Sequence, residues 1–334
     1  MNSIIIAFRF LLNHKWKISL VALMTSVFLF LLFPLTDLND FISSKISQAT
    51  NNKVFLQFEE MHLNPLTTTL DLDKVILETE QIDNLTIEKL SATPSLMALA
   101  SKQPGGKIWA EGLLGGTLSL KMTPAGLAKS DSKSNSKNAT DETGLQKSDV
   151  ELIIEKFSMK EIKKIFSSNL PILGQMDLSA NLNIDPAFVD QPEGDLQLKI
   201  QKFELQTTSI QLPDLGSINL PEIKFTNIEI KGKMQGGKFL IETGKLGVPT
   251  DDFSGTIKGD VGFVIQNMNG QMKPIVNSYN LSIDLLAKPA FKDRAVFFLN
   301  FIDQYKKEEA GHTRYKFKLL STGPGIPPQF SALN

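Results

Sequence analysis

From Lys53 onward the chain repeats one pattern: apolar and polar residues alternate for several positions, halt at Gly, Pro or Asn, and alternate again. A side chain on the same face at every second position is the period of a β-strand. "KVFLQFEE" sets Val54, Leu56 and Phe58 on one face; "TTTLDLDKVILET" sets Leu70 and Leu72 there and, after a shift, Val75 and Leu77. "NLTIEKL" adds Leu85, Ile87 and Leu90, and "GKIWAEGLLGGTLSLKM" reads as a strand pair around Gly112 and Gly115–Gly116. In the second half, "GDLQLKIQKFELQ", "INLPEIKFTNIEIKG", "GKFLIETGKLG", "GTIKGDVGFVIQ" and "SYNLSIDLLAK" continue the alternation, "TRYKFKLLSTG" closes it, and "PGIPPQF" is an extended tail. Strands at such spacing predict a mainly β chain with a curved antiparallel sheet. Leu196, Leu198, Ile200, Ile228, Ile230, Phe239 and Ile241 are its expected inward positions.

Short helices interrupt the strands. Leu38, Phe41, Ile42 and Ile46 share a helical face just before Lys53. Pro94 is expected to start a helix holding Leu96, Met97 and Leu99, and Ile162, Ile165 and Phe166 to face inward from another. Val296, Phe297, Leu299, Phe301 and Ile302 predict a helix over about 290–308, with Lys306 and Lys307 in its last turn.

Ahead of all this lies an apolar run of 18 uncharged residues, Ile18 to Leu35. As a helix it measures roughly 27 Å, near the thickness of a bilayer's hydrocarbon core. Ile18, Leu20, Val21, Leu23, Phe28, Leu31 and Leu35 are the expected lipid-facing anchor, and Arg9, Lys15 and Lys17 the charges that hold the N-terminus in the cytoplasm. A cleaved signal peptide fits less well. Its apolar core is shorter, about 7–15 residues, and the nearest small-x-small site, Ser47 to Ala49, is far downstream.

The expected organisation is an anchor over 1–36, a β lobe over 37–127, a disordered linker over 128–149 and a second β lobe over 150–334. The linker, "AKSDSKSNSKNATDETGLQKSD", has too few apolar side chains to offset the entropy of ordering.

Chemistry is sparse. With no cysteine, thiol catalysis and cysteine metal sites are excluded, and a net charge of -1 argues against a nucleic-acid partner. His14, His62 and His312 show no carboxylate or histidine at ligand spacing, so neither metal nor cofactor is expected. "GLLGG" and "MQGGK" lack the phosphate-loop ending and read as hairpin turns, and Asp251–Asp252 as a loop cap. No catalytic constellation emerges, which points to a scaffold or an apolar-ligand carrier.

The segments "LTTTLDLDKVILET", "DNLTIEKLSATPSLMAL", "GKIWAEGLLGGTLSLKM", "LPEIKFTNIEIKGKMQGGKFLIETGKLGVPTDDFSGTIKGDVGF" and "YKFKLLSTGPGIPPQF" resemble the GspN (general secretion pathway protein N) family of type II secretion. The same patterns are similar to AsmA-like proteins, which carry one N-terminal anchor and a β-rich periplasmic domain. The first resemblance implies a non-enzymatic structural component of the secretion system, anchored in the bacterial inner membrane and partnered with its other subunits. The second implies a protein handling lipid between inner and outer membranes through an apolar β groove. AsmA-like chains are usually much longer, and length favours the secretion expectation.

Overall fold

The structure is a computed structural model; it describes residues 15–32, 39–64, 67–79, 82–124, 147–165, 170–185, 188, 190–212, 216–268, 271–309, 311–323 and 326–333. Helices α1 (Lys15–Leu32) and α2 (Asn39–Ala49) lead into β1 (Val54–Gln57), β2 (Glu60–Asn64), β3 (Thr69–Thr79) and β4 (Ile82–Pro94). Helix α3 (Leu96–Ala100), β5 (Gly106–Leu113), β6 (Gly116–Pro124), β7 (Ser148–Ser158), α4 (Met159–Ile165), β8 (Ile172–Ile184) and β9 (Glu193–Leu205) follow. Next come β10 (Thr208–Leu212), β11 (Gly216–Leu220), β12 (Ile223–Gln235), β13 (Lys238–Leu246), β14 (Phe253–Met268) and β15 (Gln271–Ala287). The chain ends with α5 (Pro289–Arg294), α6 (Val296–Leu299), a 3-10 helix (Asn300–Tyr305), β16 (Lys306–Glu309), β17 (His312–Ser321) and β18 (Gln329–Ala332).

Sixteen of these strands form one antiparallel sheet, ordered β1-β3-β4-β5-β6-β7-β8-β9-β12-β13-β14-β15-β17-β16, with β2 beside β3 and β18 beside β17. β10 and β11 make a separate hairpin. Nearly every strand therefore pairs with its neighbour in sequence, as alternation with short turns leads one to expect. Leu114–Gly115 and Gly236–Gly237 turn the β5–β6 and β12–β13 hairpins with positive φ at both positions, as a two-residue type I′ turn requires. β6 pairs with β7 along Thr117↔Glu155 to Pro124↔Ser148, so the sheet runs without a break from the first expected lobe into the second. The expected linker lies outside the described residues up to 146; Ser148 and Asp149 already belong to β7.

Two bulges, at Lys156 and Lys202, and a positive-φ kink at Lys74 share one sequence form. Lys74, Lys156 and Lys202 have φ of 51°, 58° and 51°, and each follows an acidic or amide residue in "LDKV", "IEKF" and "IQKF". At Lys156 and Lys202 an extra residue stands against β8, and at all three the apolar residues on either side, three apart, face the same way. This is the shift anticipated between Leu72 and Val75.

The helices correct several expectations. Ser95, not Pro94, caps α3, its hydroxyl accepting from Ala98 N at 3.3 Å, while Leu96, Met97 and Leu99 turn outward and Ala98 inward. The helix expected over 290–308 breaks at Ala295, tightens into the 3-10 turn and stops at Tyr305, so Lys306 and Lys307 lie in an edge strand. Only Leu299 and Ile302 of its expected apolar face are buried; Val296, Phe297 and Phe301 are exposed. In α2, Ile42 and Ile46 pack inward and Phe41 is exposed. The side chain of Ile162 is half-buried; those of Ile165 and Phe166 lie outside the described set.

Among the described residues no helix is long and apolar enough to cross a membrane. The uncharged part of α1, Ile18–Leu32, measures about 22 Å, short of a core of roughly 30 Å. Leu35 and Arg9 lie outside the described residues, as do the side chains of Lys15, Ile18 and Leu31. Leu20, Val21, Leu23, Met24 and Phe28 of α1 are exposed, and so is Lys17.

Candidate functional site: a partly roofed apolar face

Cross-strand partners share a face, so the register spells out both surfaces of the sheet. One row runs Met61, Leu72, Leu90, Ala110, Leu118, Ile154, Leu178, Leu198, Ile230, Gly244, Ile257, Ile283, Phe317, Ala332. It crosses from β2 to β18 without one polar side chain. A second, two residues along each strand and three along the irregular β13, runs Leu63, Leu70, Ala92, Ile108, Leu120, Leu152, Ala180, Leu196, Gly232, Ile241, Gly259, Leu281, Leu319, Phe330. All seven positions expected to point inward lie on this face, with Ile200 and Ile228 buried and the others half-buried.

The opposite surface is polar. Asp177, Lys199, Glu229, Lys245, Thr256, Asp284 and Lys316 are successive partners, so acid and base alternate across most of that row. Lys231, hydrogen-bonded to Glu229, holds that carboxyl below its usual range, helped by Lys245 and Lys199. Asp284 is lowered chiefly by Arg314, which grips both carboxylate oxygens at 2.8 and 2.7 Å. A hollow of about 630 Å³ lies beside the Lys156 bulge on this surface, where Lys156 N donates to Asp177 Oδ1 at 2.8 Å.

Roofing of the apolar face is uneven. At the N-terminal end, Ile42 and Ile46 of α2 pack against Leu56, Met61, Leu72, Val75 and Ile87. At the C-terminal end, Phe291, Leu299 and Ile302 close over Ile283, Leu285, Tyr315 and Phe317. A smaller cluster of Ile200, Phe225 and Ile228 takes Met159 of α4. Leu120, Leu152, Ile154, Leu178, Leu182, Leu196, Ile241 and Val261 belong to none of these clusters and stay half-buried, and Ile108 is exposed. The two-residue turn at Gly236–Gly237 is too short to fold back over Ile241 and Val261, and α4, between β7 and β8, packs its Met159 on the Ile200 cluster instead. The outward-turned Leu96, Met97 and Leu99 add an apolar lip beside the β4–β5 end of the face.

β12 and β14 approach each other closely, coming within 8 Å across β13, where a flat sheet keeps second neighbours about 9.6 Å apart. On the apolar face, Phe225 and Phe253 bridge the same gap with ring centroids 5.8 Å apart, and Phe253 stacks on Phe291 at 4.5 Å.

Polar chemistry is scattered by comparison. Asp251 caps the β12 bend, accepting from Thr226 N, Thr226 Oγ1 and Val248 N at 2.9, 2.6 and 3.0 Å; Asp252 pairs with Arg294 at 3.0 Å. Among the described residues, the buried Ser148 Oγ, Asn227 Oδ1 and Tyr315 OH have no hydrogen-bond partner, and they sit on three separate strands. His62 corrects an expectation: Glu60 and Asp73 both approach it, so carboxylates do stand at ligand distance. The signal was present in sequence, since residues 60 and 62 share a strand face, but the partner on β3 was not. Comparison of the chain with protein families, with curated proteins and with solved structures finds no match.

Proposed function

We propose that this chain is a non-enzymatic lipid-handling protein, anchored in the bacterial inner membrane through Ile18–Leu35 with its sheet in the periplasm. The observation that carries it is the half-buried centre of an otherwise closed apolar face. A soluble protein gains by roofing such a surface, and an apolar patch left open marks a ligand or membrane site. The run of central strands between the two roofed ends is roughly 30 Å wide at about 4.8 Å per strand, room for an acyl chain laid across the strands. Ten methylenes moved from water onto the face contribute about 8 kcal/mol, enough for roughly micromolar affinity before ordering costs are subtracted. Roofs at both ends suit a holder of single lipids better than a conduit. The exposed Leu20, Val21, Leu23 and Phe28 of α1 support the anchor.

The test is lipid extraction from the full chain purified in detergent, followed by mass spectrometry. About one phospholipid per chain is expected, lost in a Leu178→Asp/Leu196→Asp variant whose circular dichroism still reports the sheet. A parent chain free of lipid sinks the proposal.

A second reading is a structural component of a type II secretion system. The motif resemblance supports it, as do the sheet's outer strands, β1 and β2 at one end and β16 and β18 at the other, each with one edge unpaired among the described residues. Such edges can recruit strands of partner subunits. Culture-supernatant proteomics of a deletion strain tests it: selective loss of exported proteins supports the role, and an unchanged supernatant removes it.

A further inference from the structure

Glu60 and His62 stand two residues apart on β2, and Asp73 of β3 is the direct cross-strand partner of Glu60. Two carboxylates facing each other in a ladder repel, and the nearby lysines do little to relieve it. Lys74 Nζ lies 2.6 Å from Glu59, and Lys89, across from Asp73 on β4, sits 3.8 Å from Asp71. Among the described residues the close ion-pair partner of both carboxylates is His62.

Its geometry is unusual for a hydrogen-bonded histidine. His62 Nε2 lies 3.3 Å from Glu60 Oε2 and 3.6 Å from Asp73 Oδ2, longer than the ~2.9–3.0 Å typical of an N–H···O bond. A tetrahedral cation with bonds of about 2.0–2.1 Å holds its ligand atoms roughly 3.4 Å apart. One oxygen from each carboxylate and one imidazole nitrogen lie within 4.8 Å of one another.

We propose that Glu60, His62 and Asp73 bind a divalent first-row transition metal, with Zn²⁺ the best match and water completing the shell. One imidazole with two carboxylates is a borderline donor set. It is too poor in oxygen for Ca²⁺ and lacks the sulfur that Cu(I) prefers. The bound cation cancels the Glu60–Asp73 repulsion and staples β2, which among the described residues pairs with β3 alone, to the body of the sheet. That edge adjoins α2, where Asn39 Nδ2 donates to Phe58 O at 2.6 Å.

The full chain, purified in detergent and stripped with EDTA, is titrated calorimetrically with Zn²⁺, with Mg²⁺ and Ca²⁺ as hard-cation comparisons. One Zn²⁺ per chain is expected, weakened about tenfold or more in His62→Ala and in Asp73→Asn, with little response to either hard cation. Glu60 and His62 are exposed and Asp73 is half-buried, so the metal-free variants should melt with the parent, while Zn²⁺ raises the melting temperature of the parent alone. No Zn²⁺ binding in the millimolar range, or affinity unchanged in both variants, overturns the assignment.

Discussion

At the C-terminal end of the sheet, Ile283 and Phe317 share a buried cluster with Leu299 and Ile302 and are 8% and 4% exposed. In the centre, Leu178 and Leu198 continue the same row yet stay half-buried. Sequence pattern and register are alike in the two places. What differs is what returns over the face: the segment after β15 folds back as α5, α6 and a 3-10 turn, whereas the connection from β7 to β8 brings back only the short α4, whose Met159 packs beside Ile200. Whether such a face is closed or left half-buried is thus decided by what folds back over it, not by the strands.

The comparison can be broken or sharpened by substitution. The largest effect is expected from Ile228→Asp. It leaves an unpaired carboxylate in the Ile200–Phe225–Ile228 cluster and costs about 4 kcal/mol in urea unfolding; an unchanged midpoint would mean that the apolar face is not packed even there. Next come two matched truncations. Leu299→Ala should cost about 3 kcal/mol, as a fully enclosed leucine does, while Leu178→Ala should cost about 1 kcal/mol and reduce retained lipid. Equal costs would erase the distinction between roof and open face.

A smaller effect separates the polar surface. Arg314 keeps the Asp284 carboxyl below its ordinary value, so the pair stabilises the fold above the unfolded-state pKa of about 3.9 and loses that contribution as pH falls through the lower folded value. Asp284→Asn should cost about 1 kcal/mol at pH 7, with the gap from the parent closing as pH falls below the unfolded-state value and through the lower folded one. A gap constant from pH 7 to pH 2 would rule out the ion pair as its source. The smallest expected change is Lys156→Gly, stabilising by a few tenths of a kcal/mol because glycine adopts positive φ without strain. Lys156→Val should instead cost about 1 kcal/mol. Identical midpoints for the two would argue against the bulge.

Much of the fold was legible because the strand period is short and local: Leu196, Leu198 and Ile200 announce their shared face within five residues. Even the positive-φ kink at Lys74 shows as a hitch in alternation. Harder to see was that one sheet spans both expected lobes, since β6 finds β7 across a long polar stretch that carries no pairing signal. The break in the C-terminal helix was also hidden, because Val296 to Ile302 is apolar enough for a helix or a cap and only packing on Tyr315 and Phe317 decides. For the apolar site, sequence named the face but not its coverage, which depends on where loops return. For the Glu60–His62–Asp73 cluster it lacked the register that brings β3 alongside.

Pairing in order of synthesis has a kinetic meaning. From β3 to β9 each strand's partner is the one made just before it, so the chain can zip up from its N-terminus, with residues 125–147 between β6 and β7 the longest connection to close. No strand there must wait for the far end of the polypeptide. An interrupted chain would still carry a finished piece of sheet, and its newest strand would be a raw edge with one apolar side until the next hairpin covered it. The time between successive hairpins, more than the depth of any core, sets how long that edge is open to the wrong partner.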